Sequence, residues 1–194
     1  MNYQVKKLLL GLGLLCATQS AFAQWRTLDV ALTTQEHSEW CWAASSKAVI
    51  GYFEAPPNQC DVANWAYGIN YACGSSNFYW NSYANQPNTL FGNSGSVQDI
   101  LSNWGIWTYA VNDYLSWAHI VQDIDANRPF IMRYGWTYGG GHVLVGRGYE
   151  VDSDGSRYLY LMNPWPGEGM TYASYDYAVY ANDHTWTHSL RTNY

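Results

Sequence analysis

The chain has 194 residues, with nine Lys and Arg against 15 Asp and Glu, which gives a formal net charge of −6 at pH 7. This acidic balance argues against nucleic acid and anionic membranes as partners. Aromatic residues make up 18% of the chain. That fraction is typical of a small exported domain with bulky core residues, and it also permits an aromatic cleft for a peptide or sugar-bearing ligand.

The start of the chain has the pattern of a secretory signal peptide. Two lysines precede a short apolar run over residues 8–16, and an Ala-x-Ala cleavage site ends at Ala23. The apolar run is too short to span a bilayer. We therefore expect residues 1–23 to be removed and residues 24–194 to form a single domain that is secreted or periplasmic.

Cys41 lies at the predicted start of a helix. Apolar residues recur at helical spacing from Trp42 to Phe53, and Pro56–Pro57 ends the run. In the first turn of a helix, unpaired backbone N–H groups and the helix dipole favour a thiolate, the nucleophilic form of cysteine. Gln35 precedes Cys41 by six positions. Its side-chain amide and the Cys41 backbone N–H are therefore candidates for an oxyanion hole.

Three cysteines follow the expected leader: Cys41, Cys60 and Cys73. In an oxidising compartment two of them form a bridge and the third is a free thiol. Because Cys60 and Cys73 are near in sequence, we expect them to pair, and a bridge from Cys41 to either of them is the alternative. A zinc site built from the three cysteines and a histidine is a weaker alternative, since the spacings match no paired-ligand pattern. We predict neither a metal nor a cofactor.

Helical patterns dominate the first half after Cys41. Residues 61–67 predict a short helix, and residues 72–95, rich in Gly, Ser, Asn and Tyr, predict a long loop. Ser96 is expected to cap a helix that ends near Gly105, and residues 106–111 predict a strand. A second capped helix is expected after Ser116.

Strand patterns dominate the second half. Runs rich in Val, Leu, Tyr and Phe cover residues 130–134, 142–151 and 158–163, and residues 170–194 are consistent with one or two more strands. Residues 152–156 predict a hairpin turn rather than a calcium loop, because the further ligands and the distal glutamate are missing. Helices first and strands second indicate an α+β fold, with a helical half against an antiparallel sheet.

His142 is the candidate base for the Cys41 thiol. It follows Gly139–Gly141, which leave the backbone open to a substrate chain, and it begins a predicted strand. Asn163 ends the next strand, so a hairpin brings both side chains to one sheet edge, where the Asn163 oxygen would orient the imidazole. Trp165 would shield the pair from water. The other histidines are interpreted as surface or hydrogen-bonded residues: His37, His119, His184 and His188.

Three short motifs occur in order along the chain. They are a Gln followed after five residues by Cys-Trp-Ala, a Gly-His before an apolar strand, and an Asn-Pro-Trp. Together they resemble the papain superfamily of cysteine peptidases. Glu39 and Trp40 before the cysteine make the chain more similar to small secreted bacterial members, namely staphopain-like enzymes and secreted plant-pathogen effectors, than to lysosomal cathepsins.

This resemblance implies a papain-like fold and hydrolysis of peptide bonds through a Cys41–His142–Asn163 triad. Gln35 would then be the oxyanion donor. We also expect four residues to contact the substrate: Trp42, Gly140, Gly141 and Trp165. The expected partner is a protein or peptide substrate. Only eleven residues separate Ala23 from Gln35, too few for the inhibitory pro-region of the family, so we expect control by export or by a separate inhibitor or immunity protein.

Two other functions fit the same residues. The first is a peptidoglycan amidase or endopeptidase with the same Cys–His site, which export and aromatic richness permit and which the acidic charge opposes. The second is a binding or toxin module on a papain-like scaffold that has lost catalysis. Since every catalytic position is filled, the peptidase is the leading hypothesis.

Overall fold

The computed structural model describes residues 23–74, 79 and 81–194, so the expected leader lies outside the described residues except for Ala23. The described part has the predicted α+β fold, with these elements in chain order: β1 (Gln24–Thr27), α1 (Cys41–Phe53), α2 (Gln59–Tyr67), α3 (Val97–Asn103), β2 (Trp107–Val111), α4 (Trp117–Asp125), β3 (Phe130–Trp136), β4 (Gly141–Val151), β5 (Arg157–Asn163), β6 (Gly169–Ser174), α5 (Tyr175–Val179) and β7 (His184–Asn193). None of the helices seen in these residues combines the length and the apolar character needed to cross a bilayer.

The seven strands of the described residues form one sheet with antiparallel pairing. Their order is β2-β7-β3-β4-β5-β6, and β1 pairs with the second half of β4. β5 pairs with β4 only from Val145 onward, so residues 141–144 lack a strand partner on that side. α1 packs into this gap, where the Ser45 hydroxyl donates a hydrogen bond to the Val143 carbonyl (3.1 Å).

α1 is the central helix of the fold. Eight of its 13 residues are buried. It packs against β4 and also against α2 and α3, so that Trp42, Val49 and Ile50 lie in the hydrophobic core. A helix that is apolar on most sides is expected where protein surrounds it. Its small residues, among them Ala44 and Ser45, allow the backbone to approach the sheet closely.

A disulfide joins Cys60 in α2 to Cys73 in the following loop, and Cys41 is the free cysteine among the described residues. The structure therefore contains the expected pairing, and the alternative bridge to Cys41 is not formed. The two bonded sulfurs are also not available as thiolate ligands, which removes the zinc alternative.

Replacing Cys60 and Cys73 with serine should lower the free energy of unfolding by about 3 kcal/mol, because the bridge closes a loop between residues 13 positions apart. Urea unfolding of the protein measures this difference. Reductant should destabilise the wild type to a similar extent and leave the double serine variant unchanged. A double variant as stable as the oxidised wild type would contradict a disulfide between Cys60 and Cys73.

Gly146 leaves room for an aromatic ring beside the sheet. It lies opposite Phe130 in the pairing of β3 with β4, and the Phe130 ring occupies the space that a side chain at position 146 would need. The ring also stacks on Trp186, with 5.8 Å between centroids. We expect Gly146→Ala to lower the free energy of unfolding by about 1–3 kcal/mol, because the added methyl group displaces the ring.

Chemical denaturation of single and double variants tests this contact. Phe130→Leu removes the ring, so the double variant Gly146→Ala/Phe130→Leu should be more stable than the sum of the two single effects predicts. Simple additivity of the two changes would mean that the ring and the glycine do not share this space.

The predicted helices and strands are present with small shifts at their ends. Ser96 and Ser116 cap α3 and α4 as expected, and their hydroxyls accept hydrogen bonds from the N–H groups of Asp99 (3.4 Å) and His119 (3.3 Å). Residues 152–156 form the connection of the β4–β5 hairpin. The described residues of the predicted long loop contain neither a helix nor a strand.

The tail contains a helix that the sequence did not predict. α5 follows β6, and the Ser174 hydroxyl caps it by accepting a hydrogen bond from the Tyr177 N–H (3.2 Å). The helix has only five residues, too few for a helical spacing of apolar residues to be recognised in the sequence. β7 then returns to the middle of the sheet and pairs with both β2 and β3.

Candidate active site

Cys41 is the first residue of α1, as predicted. Its side chain is half-buried and not bonded to another sulfur. Backbone groups of Trp42 and Val143 hydrogen-bond to the sulfur. The thiol therefore lies against the first turn of α1 and against the strand residue that directly follows His142.

His142 and Asn163 form the predicted pair. The imidazole Nε2 of His142 lies 2.7 Å from the Asn163 side-chain oxygen. That oxygen also accepts a hydrogen bond from the Trp165 backbone N–H (3.0 Å), which fixes the orientation of the amide. An acceptor facing Nε2 requires the proton on Nε2, so Nδ1 is the basic nitrogen. Nδ1 is buried and has no hydrogen-bond partner among the described residues.

Two indoles enclose the imidazole. The Trp165 ring meets the His142 ring edge-on at 5.4 Å, and the Trp136 ring is stacked at 6.1 Å. His142 is only 2% exposed as a result. Trp165 thus covers the His–Asn pair as expected, whereas Trp136 was not singled out in the sequence.

Burial decides the protonation of the two reacting groups. It raises the pKa of the Cys41 thiol to about 11, although the backbone hydrogen bonds from Val143 and Trp42 lower the pKa. The expected thiolate is therefore not the resting form, because desolvation outweighs the helix terminus. Burial also lowers the pKa of His142, and the bond to Asn163 only partly opposes this. At neutral pH the site holds a thiol and a neutral imidazole.

Gln35 holds the turn that leads to Cys41. Its side-chain Nε2 donates hydrogen bonds to the carbonyls of His37 (2.9 Å) and Ser38 (2.8 Å), and its backbone N–H donates to the Pro164 carbonyl (2.9 Å). Both amide hydrogens are therefore engaged within the turn, and the buried Oε1 has no partner among the described residues. In this resting geometry Gln35 shapes the turn and does not yet present an N–H group to an oxyanion.

A second residue, Asn85, fixes the same turn from the loop before α3. Its side-chain oxygen accepts a hydrogen bond from the Glu39 N–H (3.1 Å), and its amide donates to the Ser38 hydroxyl (2.9 Å). The indole of Trp40 donates to the neighbouring Ala84 carbonyl (2.7 Å). No sequence signal marks Asn85, because a buried asparagine in a polar loop has the same pattern as an exposed one.

Trp42 does not reach a cleft. It is completely buried, its indole N–H donates to the Gln86 carbonyl (3.0 Å), and its ring meets Tyr67 at 5.4 Å. The prediction that Trp42 binds substrate is wrong, because the residue after Cys41 on α1 points into the hydrophobic core.

Two cavities adjoin the site. One of about 410 Å³ is lined by Cys41 together with Gly140 and Gly141, and one of about 530 Å³ is lined by His142 and Trp165. Three of the four residues predicted to contact substrate therefore line these cavities.

Arg133 and His188 also line the cavity beside Cys41, and neither is among the site residues predicted from the sequence. His188 was interpreted as a surface or hydrogen-bonded residue, and its ring does bond to the Thr187 hydroxyl (2.8 Å). Both residues reach the cavity because β7 pairs with β3. No local sequence pattern shows that the last strand of the chain inserts beside β3.

A family match covers most of the chain. The sequence model of the Peptidase_C39 like family matches residues 27–192. The chain belongs to the Peptidase_C39 like family. This C39-like peptidase is thus a papain-like cysteine peptidase, a hydrolase. The narrower resemblance to staphopain-like enzymes and plant-pathogen effectors is replaced by this family, since the short motif around Cys41 does not distinguish the branches.

One solved structure supports the fold of this C39-like peptidase. The peptidase domain of Streptococcus ComA, a bi-functional ABC transporter involved in a quorum sensing pathway, is similar with a TM-score of 0.56 and 14% identity. The similarity covers 85% of this chain and 99% of that domain. At this identity the likeness supports the fold alone. No curated protein sequence matches the chain.

Proposed function

We propose that the chain is an exported peptidase that hydrolyses peptide bonds with Cys41 as nucleophile, His142 as general base and acid, and Asn163 as the orienting residue. One observation carries the proposal. Nε2 of His142 bonds to Asn163, and Nδ1 has no partner within the described part of the chain, while the Cys41 sulfur bonds to a backbone group of the next residue of the same strand, Val143. The imidazole and the backbone group that bonds the thiol thus belong to consecutive residues of β4, which supports the proposal.

The first half of the reaction forms an acyl-enzyme. Nδ1 of His142 takes the thiol proton as the Cys41 sulfur attacks the carbonyl carbon of the substrate. The oxyanion accepts a hydrogen bond from the Cys41 backbone N–H, and Gln35 contributes a second one after releasing the carbonyl of His37 or Ser38. The imidazolium then returns the proton to the leaving nitrogen, and the C–N bond breaks.

The second half hydrolyses the thioester. His142 takes a proton from water, the resulting hydroxide attacks the acyl carbon, and the C–S bond breaks. The sulfur recovers the proton from His142, which restores the resting thiol and neutral imidazole. The Asn163 oxygen stays on Nε2–H throughout and holds the ring plane.

Export is supported by the leader pattern and by the Cys60–Cys73 disulfide, since such bonds persist in oxidising compartments. The proposed partners are a protein or peptide substrate and a separate inhibitor or immunity protein that restrains the enzyme.

A thiol-directed epoxide and casein hydrolysis test the proposal. The mature protein should react with one equivalent of epoxide at Cys41 and should cleave casein, and Cys41→Ala should abolish both while keeping the circular dichroism spectrum. Release of new amines from purified peptidoglycan sacculi, without casein cleavage, would indicate that the same site hydrolyses a cell-wall substrate. Absence of hydrolysis in both assays would overturn the catalytic function.

A further inference from the structure

Arg133 places a cation in the cavity beside Cys41. The residue lies on β3 and is half-buried. Its guanidinium donates hydrogen bonds to the Thr187 hydroxyl (3.0 Å) and to the Gly140 carbonyl (2.8 Å). Both acceptors are neutral, so the contacts hold the guanidinium in position without neutralising its charge.

Two glycines provide the space for this guanidinium. Gly135 and Gly141 lie opposite each other in the pairing of β3 with β4. A Cβ atom at Gly141 would lie 2.5 Å from Nη2 and 2.6 Å from Cζ of Arg133, and one at Gly135 would lie 3.3 Å from Nη1. A larger residue at either position would displace the guanidinium, so the strand pair forms a slot that holds Arg133 against the cavity.

Arg133 has no ion-pair partner in the described part of the chain. The arginines that do form ion pairs there are Arg26, Arg128 and Arg191, and each lies within 4.0 Å of an aspartate. Glu39 lines the same cavity but forms no ion pair with Arg133. A half-buried cation whose hydrogen-bond acceptors are neutral would interact most strongly with a carboxylate that enters the cavity, because the two charges meet where water is partly excluded.

The positions of the nucleophile and the proton donor indicate which part of a substrate enters this cavity. The acyl carbon bonds to the sulfur of Cys41, which lines this cavity, whereas the leaving nitrogen takes its proton from His142, which lines the other cavity. The cavity with Arg133 therefore receives the acyl segment. That segment runs toward the amino terminus of the substrate, so a carboxylate there belongs to an Asp or Glu side chain.

We infer that Arg133 selects peptides with an acidic side chain in the acyl segment, close to the bond that is cleaved. This inference rests on the peptidase function proposed above. It names the substrate class: protein or peptide chains with Asp or Glu just before the cleavage site. His188 lines the same cavity and adds a hydrogen-bonding ring beside the guanidinium.

Cleavage of a peptide library tests the inference. The library carries Glu, or Gln of the same shape, at each of the first few positions of the acyl segment, and the readout is the ratio of kcat/KM for each Glu and Gln pair. At one position the wild type should prefer Glu by about tenfold or more. Arg133→Gln should bring this ratio close to one, and Arg133→Glu should reverse it in favour of the Gln peptide.

Two controls separate the charge of Arg133 from general effects. Arg157→Gln removes an exposed arginine at the start of β5, outside the cavity, and should keep the ratio. Glu39→Gln removes the acid that lines the cavity and should raise the ratio further. Cleavage without a Glu preference at any position would overturn the inference and leave the peptidase function standing. A library that is cleaved nowhere, by protein with an intact Cys41 thiol, would overturn both.

Discussion

His142→Ala should lower kcat by a factor of about 10² to 10⁴, the largest effect expected from a single change other than loss of the nucleophile. The reason is that desolvation of the half-buried Cys41 thiol raises its pKa to about 11, so the thiol needs a base to become nucleophilic at neutral pH. Nδ1 of His142, which is buried and has no hydrogen-bond partner among the described residues, can take the proton. Steady-state hydrolysis of a fluorogenic peptide measures the loss.

His184→Ala is the matched control. His184 is as buried as His142 at 2% exposure, and its Nδ1 likewise pairs with a side-chain oxygen, that of Asp183 (2.9 Å). Both variants should lose stability through the same kind of cavity, but only His142→Ala should lose most of its turnover. Equal losses of kcat in the two variants would show that packing, and not proton transfer, explains the effect of His142.

Alkylation of Cys41 in the free enzyme should become faster by about tenfold per pH unit from pH 7 to pH 10, without reaching a plateau. A raised thiol pKa of about 11 means that the reactive thiolate is a small fraction below that pH and grows steadily toward it. The His142 pKa lies below its usual value, so the imidazole is neutral over this range and does not stabilise a thiolate. The rate of reaction with iodoacetamide, measured across this range, tests the expectation.

Peptide hydrolysis should behave differently from alkylation with pH. The acid limb of kcat/KM should fall at a pH below the usual histidine value, because protonated His142 cannot act as a base and its pKa is lowered. A rate of alkylation that is already constant between pH 5 and pH 8 would instead indicate a preformed thiolate–imidazolium pair. That result would contradict the resting state described above.

Local sequence patterns were sufficient for the parts of the site that neighbouring residues determine. Ser96 and Ser116 cap their helices because a serine hydroxyl satisfies backbone N–H groups within its own turn. The hairpin between β4 and β5 brings His142 and Asn163 together, since the two strands are consecutive. These features depend on contacts within one element or between adjacent elements.

Features that depend on contacts between residues far apart in the sequence could not be predicted from local patterns. The protonation of Cys41 follows from burial against β4, which outweighs the helix terminus that its local sequence reveals. The Gln35 side-chain amide donates hydrogen bonds to carbonyls of its own turn. A sequence motif identifies the residue but not its hydrogen-bond partners. Arg133 reaches the cavity through a slot formed by two glycines on neighbouring strands.

A crystal structure of the protein after reaction with a peptide aldehyde shows whether Cys41 and His142 act together on a substrate carbonyl. We expect a bond from the Cys41 sulfur to the aldehyde carbon, with His142 Nδ1 within hydrogen-bond distance of the sulfur or of the new oxygen, and Asn163 still on Nε2. An aldehyde bound elsewhere, or a Cys41 sulfur turned away from the His142 ring, would contradict it.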